Sequence, residues 1–264
     1  MADPIIEQFR VQNAGLSKLV RDRLASFFGS LNLANPEAVR DALLEFVPLL
    51  VAEYGSVAES LALDFYDDLR AASGAAGRFR AISGAAAIPP AAIEAKVRYL
   101  AGELWTATPG AILSPLLGAV DKYVKQPGRN AIEFNAKREG VRFARVPQGA
   151  KTCSFCLVLA SRDAIYLTKR SAGDQGRGLG DRFHGKCDCA VVRVAGKSDF
   201  IEGYLPDDYY SKYEVAVDAA ANDPEVRAFM DSLPPDDKNK QLKGVAYAMR
   251  REFPHLVKDG VHTH

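Results

Sequence analysis

Apolar residues recur with the period of an α-helix through the first half of the chain, and polar residues fill the opposite side of each predicted helix. The first helix is expected to bury the stripe Ile6, Phe9, Leu16, Val20, Leu24 and Phe27. The second begins with the helix-initiating sequence Asn-Pro-Glu at 35–37 and continues to about Ala72. Its predicted apolar face contains Leu43, Val47, Leu50, Val51, Tyr54, Val57, Leu61 and Phe65. Pro48 and Gly55 predict a kink or a break midway along this helix.

Further helices are expected after the Ala-, Gly- and Ser-rich segment 71–87, which predicts a loose connection. One helix starts at 89–90 and continues through Val97, Leu100, Leu104 and Trp105. The next begins at about Ala111, and its predicted buried face is Leu113, Leu116, Leu117, Val120, Tyr123 and Val124. Pro127-Gly128 predicts a break, followed by a last helix at 130–138. Apolar stripes of this kind are typical of a helix-bundle core rather than of a cofactor site.

The pattern changes at Gly140, where alternating residues at 141–146 predict a short strand. A second strand is predicted at 164–168, and a third at 190–194. An acidic, tyrosine-rich turn at 204–213 precedes two or three helices that are separated by prolines. The expected fold class is α+β, in three parts. These are a helical domain at 1–139, a small zinc-stapled α+β module with short strands at 140–196, and a helical C-terminal extension at 197–264.

The composition is that of a soluble globular protein, with 48% hydrophobic and 25% charged residues. The formal net charge of +1 favours no class of partner. The N-terminus lacks the basic and apolar regions of a secretory signal, and apolar runs such as 46–52 are too short to span a bilayer. We therefore expect no membrane partner. A chain of this length can bury a large core, so a local metal site would indicate a segment that cannot pack by itself.

All four cysteines of the chain lie within 153–189, and one histidine lies just before the second cysteine pair. The candidate ligands are Cys153, Cys156, His184, Cys187 and Cys189, in the order C-x2-C, a loop, then H-x2-C-x-C. Sulfur and imidazole ligands at such spacing predict a tetrahedral zinc site. Five candidates compete for four places, so one of Cys187 and Cys189 is spare or His184 lies outside the metal's ligand shell. The alternatives are a pair of disulfides or free thiols, although cysteines in a reducing compartment favour a metal over a disulfide.

The predicted zinc is structural, because the ligand set leaves no open coordination position for a water or a substrate. A zinc deaminase requires H-x-E ahead of P-C-x-x-C, whereas here the cysteine pair comes first and His184 is not followed by that glutamate. A protease is the enzymatic alternative, with Cys153 or Cys156 as nucleophile and His184 as base, or with Ser154 or Ser161 as nucleophile. A thiolate bound to zinc is not a free nucleophile, and neither G-x-S-x-G nor H-E-x-x-H occurs in the chain.

A glycine-rich and basic loop lies between the two ligand pairs and would be held by the zinc at both ends. Its basic residues, with the one that follows His184, are Lys169, Arg170, Arg177, Arg182 and Lys186. Glycines beside basic side chains allow close approach to phosphate, which makes these residues candidates for nucleic-acid or phosphate contact. Few basic residues spread over a loop are weak evidence, and a solvated insertion is the favoured interpretation.

The segment 140–194 resembles the C-terminal core of the phage Mu F-like minor head proteins, in the version found in tailed phages of actinobacteria. The resemblance rests on Arg145-Val146-Pro147, Thr152-Cys153-Ser154-Phe155-Cys156, Leu159-Ala160-Ser161-Arg162 and the sequence from Phe183 to Cys189. It implies zinc ligands at Cys153, Cys156, His184, Cys187 and Cys189, and it implies no catalytic residue.

The function that this resemblance implies is that of a minor capsid protein for head morphogenesis, associated with the portal or the inner capsid. It places the protein in the virion head or procapsid interior, and in the host cytoplasm during assembly. The alternatives are a capsid maturation protease, the label that actinobacterial phage relatives often carry, and a DNA-binding internal head protein. The structural role is favoured over an enzyme because no catalytic residue can be matched.

Overall fold

The computed structural model describes residues 4–84, 88–147, 151–161, 189–195, 206–237 and 239–257, most of which are helical. These residues form two compact units. One is the helical unit, residues 4–84 and 88–141, and the other is the C-terminal unit, residues 142–147, 151–161, 189–195, 206–237 and 239–257. Helices together with a small antiparallel sheet confirm the α+β class. The zinc staple and the three-part division at 139 and 196 stay predictions.

The helical unit begins with α1, Pro4–Gly29, and α2, Pro36–Ala72. The predicted cap of α2 is confirmed, because the side chain of Asn35 accepts a hydrogen bond from the Ala38 amide at 3.2 Å. Of the kink or break predicted midway, the break is wrong, since α2 continues through Pro48 and Gly55, and the kink stays a prediction.

The buried stripes of α1 and α2 follow the helical period with local shifts. In α1 the last core position is Phe28 rather than Phe27, and the ring of Phe27 instead stacks on Phe46 with centroids 3.8 Å apart. In α2 the stripe beyond Gly55 passes through Ala58, Ala62, Phe65 and Tyr66, so Val57 is exposed instead of buried. Alanines such as Ala58 and Ala62 are only weakly hydrophobic. The prediction therefore assigned the buried face to the larger apolar neighbours Val57 and Leu61.

The second half of the helical unit contains α3, Pro90–Ala101, two short 3₁₀ helices at Gly102–Trp105 and Pro109–Ile112, and α4, Leu113–Glu139. The break predicted at Pro127-Gly128 is wrong, because α4 runs through both residues. It ends where predicted, at Gly140, whose φ of 78° lies in the left-handed region that favours glycine.

The close approach of α2 and α4 explains why Pro127 and Gly128 lie inside a helix. A β-carbon placed on Gly128 would lie 2.6 Å from the carbonyl oxygen of Ala58, so only glycine lets the two backbones come this near. One turn along α2, a β-carbon on Gly55 would lie 3.2 Å from Pro127 Cγ. The proline ring therefore fills the space that Gly55 leaves, and the packing compensates for the hydrogen bond that proline costs α4.

Residues 76–84 run without helix or strand beside α2 and α4, and buried Asn135 of α4 holds them. Its side-chain oxygen accepts from the Ile82 amide at 3.0 Å, and its amide nitrogen donates to the Ile82 carbonyl at 2.9 Å and to the Ala131 carbonyl at 2.8 Å. Asp67 of α2 adds a bond from the Ala81 amide at 2.8 Å. The connection predicted for 71–87 is confirmed in its described part from 73 to 84. There the side chains of Asp67 and Asn135 form hydrogen bonds with the backbone of Ala81 and Ile82.

The C-terminal unit contains a two-stranded antiparallel sheet of β1, Arg142–Val146, and β2, Ala190–Val194. Its helices are α5, Ser154–Ala160, α6, Pro206–Asn222, α7, Pro224–Asp231, and α8, Lys240–Glu252. Both strands confirm the sequence predictions, whereas the strand predicted at 164–168 lies outside the described residues. The tyrosine-rich turn is wrong for its described part, because residues from Pro206 onward form the start of α6.

By length and composition alone, α2 could cross a membrane. The core helix of a soluble protein meets the same criterion, and the buried face of α2, from Val39 to Tyr66, lies in the helical unit. The absence of a membrane partner stays a prediction.

Replacing Gly128 by alanine is expected to lower the free energy of unfolding by about 1–3 kcal/mol, because the added methyl group must push the α2 backbone away. Gly15→Ala is the matched control, since Gly15 lies inside α1 with open space around its β-carbon position, and there alanine should stabilise the helix. Thermal or urea unfolding of dilute protein measures both. Equal stabilisation by the two substitutions would contradict the close approach of α2 and α4.

Asn135→Ala removes three hydrogen bonds and leaves two backbone groups of Ile82 without these partners, so we expect a loss of about 2–3 kcal/mol. Asn13→Ala is the control, because the Asn13 amide bonds only the Phe9 carbonyl of its own helix. Limited proteolysis would show faster cleavage within 76–84 in the Asn135 variant alone. Unchanged cleavage there would contradict the role of Asn135.

Candidate functional site

The first cysteine pair forms a tight turn at the start of α5. Cys153 is the N-cap residue of this helix, and its Sγ accepts a hydrogen bond from the Cys156 amide at 3.1 Å. Both side chains are buried, with 2% of Cys153 and none of Cys156 exposed. A backbone amide directed at a thiolate is the arrangement expected of a metal-binding C-x2-C turn, so this half of the predicted site fits zinc.

Cys189 lies at the same end of the sheet as the last residue of β1, after which the chain continues to the first cysteine pair. This follows from the register, because Val146 at the end of β1 pairs with Ala190 at the start of β2. Its side chain is buried. Burial, together with the nearby Asp208, raises the pKa of the Tyr209 phenol in the first turn of α6.

His184 and Cys187, the other two predicted ligands, lie outside the described residues. Within the described part of the chain, no three histidine, cysteine or carboxylate side chains form a group that could hold a metal ion. The structure thus supplies three buried cysteines, of which Cys153 and Cys156 share a turn. The five-residue ligand set stays a prediction.

The cysteine turn is fixed by the C-terminal end of the chain. The Thr152 amide donates to the Leu256 carbonyl at 2.9 Å, and Thr152 forms a parallel bridge with Val257. From α8, the Arg250 guanidinium donates to Ser154 Oγ at 3.1 Å. These contacts place the C-x2-C turn inside a packed unit rather than on an open loop.

The same unit has a hydrophobic core that α5 shares with α6, α7 and α8. Its buried members are Leu157, Val158, Ala216, Ala220, Val226, Val245, Tyr247, Ala248, Met249 and Val257. The helices after residue 206 therefore support the cysteine turn, because their apolar faces pack around α5.

Every candidate nucleophile that the sequence offered is buried. Ser154 accepts the bond from Arg250, and Ser161 Oγ donates to the Val158 carbonyl at 2.8 Å, which ties it to its own helix. Together with Cys153 and Cys156, these side chains have too little exposed surface for a polypeptide substrate to reach them. A nucleophile has to approach the scissile carbonyl to about 3 Å, and buried side chains are poorly placed for such contact.

The basic residues proposed for nucleic-acid or phosphate contact, Lys169, Arg170, Arg177, Arg182 and Lys186, all lie outside the described residues. Their role stays a prediction.

Two buried arginines in the sheet were missed by sequence reasoning. Arg145 of β1 and Arg193 of β2 are both buried, and the register places them on one face of the sheet, since Phe143 pairs with Arg193 and Arg145 with Val191. Arginine is almost never fully buried unless it is paired. The alternation of residues 141–146 predicts that Arg145 lies on the same face of the strand as Phe143. This pattern was the sequence signal that the Arg145 side chain points inward.

Residues 2–216 match the family model described as VG15 protein. No curated protein and no solved structure matches the chain. The matched region includes α1 to α5, both strands and the first part of α6, and so contains every cysteine and the residues between the two pairs. The chain therefore belongs to the VG15 protein family, a phage-associated family of viral gene products.

Proposed function

We propose that this phage protein is a minor capsid protein, incorporated during head morphogenesis at the portal or the inner face of the capsid, with a structural zinc knot in its C-terminal unit. It acts in the procapsid interior and remains in the virion head. Membership of a phage-associated family supports a role in the phage, and the resemblance of 140–194 to Mu F-like minor head proteins supports the head.

The burial of the candidate nucleophiles carries the proposal. A protease that used Cys153, Cys156, Ser154 or Ser161 would need one of these groups beside a peptide bond, whereas the structure packs all of them within the C-terminal unit. The same burial suits a structural site, because a zinc knot is shielded from water and stabilises the fold around it.

In this proposal the zinc would be a staple between two segments of the chain. Cys153 and Cys156 belong to the turn after β1, and Cys189 immediately precedes β2. A metal held by both segments would fix the ends of the intervening residues 161–188. The remaining ligands would come from His184 and Cys187. Bound zinc supplies folding energy here and no chemistry.

Mass spectrometry of purified particles of the phage that encodes this chain tests the proposed function. We expect the chain in a fixed copy number per particle, and a major capsid protein whose N-terminus is the same in particles assembled with and without this chain. Absence of the chain from particles and procapsids would overturn the structural role. A capsid N-terminus that is cut only when this chain is present would establish the protease instead.

Zinc analysis of the purified protein tests the metal. We expect about one zinc ion per chain, and loss of that zinc with a lower unfolding temperature in Cys153→Ser/Cys156→Ser. Ser161→Ala is the matched control, because Ser161 is buried at the end of the same helix and offers no thiolate. It should keep the metal. A double variant that retains the wild-type zinc content and unfolding temperature would contradict the zinc knot.

A further inference from the structure

Gly15 lies inside α1, on its exposed side, and no described heavy atom comes within 4 Å of the position that its β-carbon would take. Glycine in a helix interior is destabilising by about 0.5–1 kcal/mol relative to alanine. Gly128 has a visible reason for being glycine, since the α2 backbone approaches it, but nothing in the described part of the helical unit requires a small residue at 15.

The residues one turn on either side of Gly15 are large, apolar and exposed. Val11 is 54% exposed and Leu19 is 59% exposed, and both lie on the face of α1 that contains Gly15. A glycine between two apolar side chains makes a shallow notch in an apolar strip, which is the shape that admits the backbone of another helix.

The face around Gly15 is complementary to itself. Suppose that two copies of α1 cross antiparallel with their Gly15 residues in contact. Each residue before Gly15 in one copy then faces the residue that lies equally far after Gly15 in the other copy. Val11 then faces Leu19 of the second copy, and Gln12 faces Lys18. Gln8 faces Asp22. No like charges meet, and the exposed Lys18 and Asp22 already form an ion pair within each helix at 2.6 Å.

The neighbouring helix extends the apolar strip. The Arg23–Glu53 ion pair, at 2.9 Å, joins α1 to α2 and sets their antiparallel register. Leu19 lies one turn before Arg23 in α1, and Val57 lies one turn after Glu53 in α2. Because the helices are antiparallel, this register places Leu19 and Val57 beside each other, one turn from the ion pair. Val57 is 43% exposed, and with Val11 and Leu19 it forms an apolar patch.

We propose that this patch is a homodimer interface, in which α1 of a second copy of this chain crosses antiparallel at Gly15. The self-complementary order of apolar and polar positions identifies the occupant, because an isologous contact requires each patch to match itself. Alanine at 15 would hold the two backbones apart, which explains glycine at an open helical position. A contact of this size is small, so the dimer dissociates on dilution.

Gly15→Ala separates association from folding. At concentrations where the wild-type protein is monomeric, the variant should unfold at a higher temperature because alanine favours the helix. In sedimentation equilibrium of the full chain, its dimer dissociation constant should rise about tenfold. A wild-type chain that stays monomeric at every concentration, or a Gly15→Ala chain that dimerises as tightly as wild type, would overturn the proposal.

Charge exchange tests the antiparallel register and the identity of the occupant. Val11→Glu and Leu19→Lys should each weaken homodimers, because a charge then faces an apolar side chain. An equimolar mixture should form heterodimers, since the carboxylate introduced in one chain would face the ammonium group introduced in the other, while the second Val11–Leu19 contact remains. Val215→Glu, at an exposed valine of α6, is the control and should dimerise as wild type does. Absence of heterodimers in the mixture would contradict this register.

Discussion

The backbone contact between α2 and α4 is the constraint on which the helical unit depends. Gly128 lets α4 approach the Ala58 carbonyl of α2, and Gly55 accommodates the ring of Pro127. This contact joins the two longest helices, and the hydrophobic core of the unit extends along them as far as Ala58 in α2 and Val124 in α4. Further along α4, Asn135 holds residues 76–84, and Glu139 accepts hydrogen bonds from Tyr66 at 2.6 Å and Arg70 at 3.0 Å. The glycines thus allow α2 and α4 to approach each other, and the hydrogen bonds of Asn135 and Glu139 stabilise that packing.

In the C-terminal unit the corresponding role belongs to the turn that contains Cys153 and Cys156. This turn is held from three sides, by β1, by the chain after α8 and by the helices that pack on α5. Such burial gives the cysteines a structural environment, because it removes them from any substrate and brings their sulfurs to a turn that can bind a metal. This burial is the observation that favours the proposed structural role over the protease alternative.

Much of the fold follows from the sequence because helices and strands have different hydrophobic periods. The start of α2, the end of α4 at Gly140 and the two strands were predictable from local signals. The breaks at Pro48 and Pro127-Gly128 were wrong, since tertiary packing outweighs the local preference of proline and glycine when a neighbouring helix fills the space. The partners of Asn135 lie in distant parts of the chain, and the hydrophobic period carries no information about such contacts. Alternation indicated that Arg145 shares a face with Phe143, but the complete burial of Arg145 depends on tertiary packing. Of the site, the sequence identified the cysteines but not their burial.

The central claim is that the buried cysteines form a closed structural site rather than a reactive one. X-ray absorption at the zinc K-edge of the purified protein measures this most directly, because it reports the type and number of atoms bound to the metal. The account predicts four ligands made up of sulfur and nitrogen only, with sulfur at about 2.3 Å from the zinc. An oxygen ligand from water would reveal an open coordination position and a catalytic metal, and protein without zinc would contradict the account altogether.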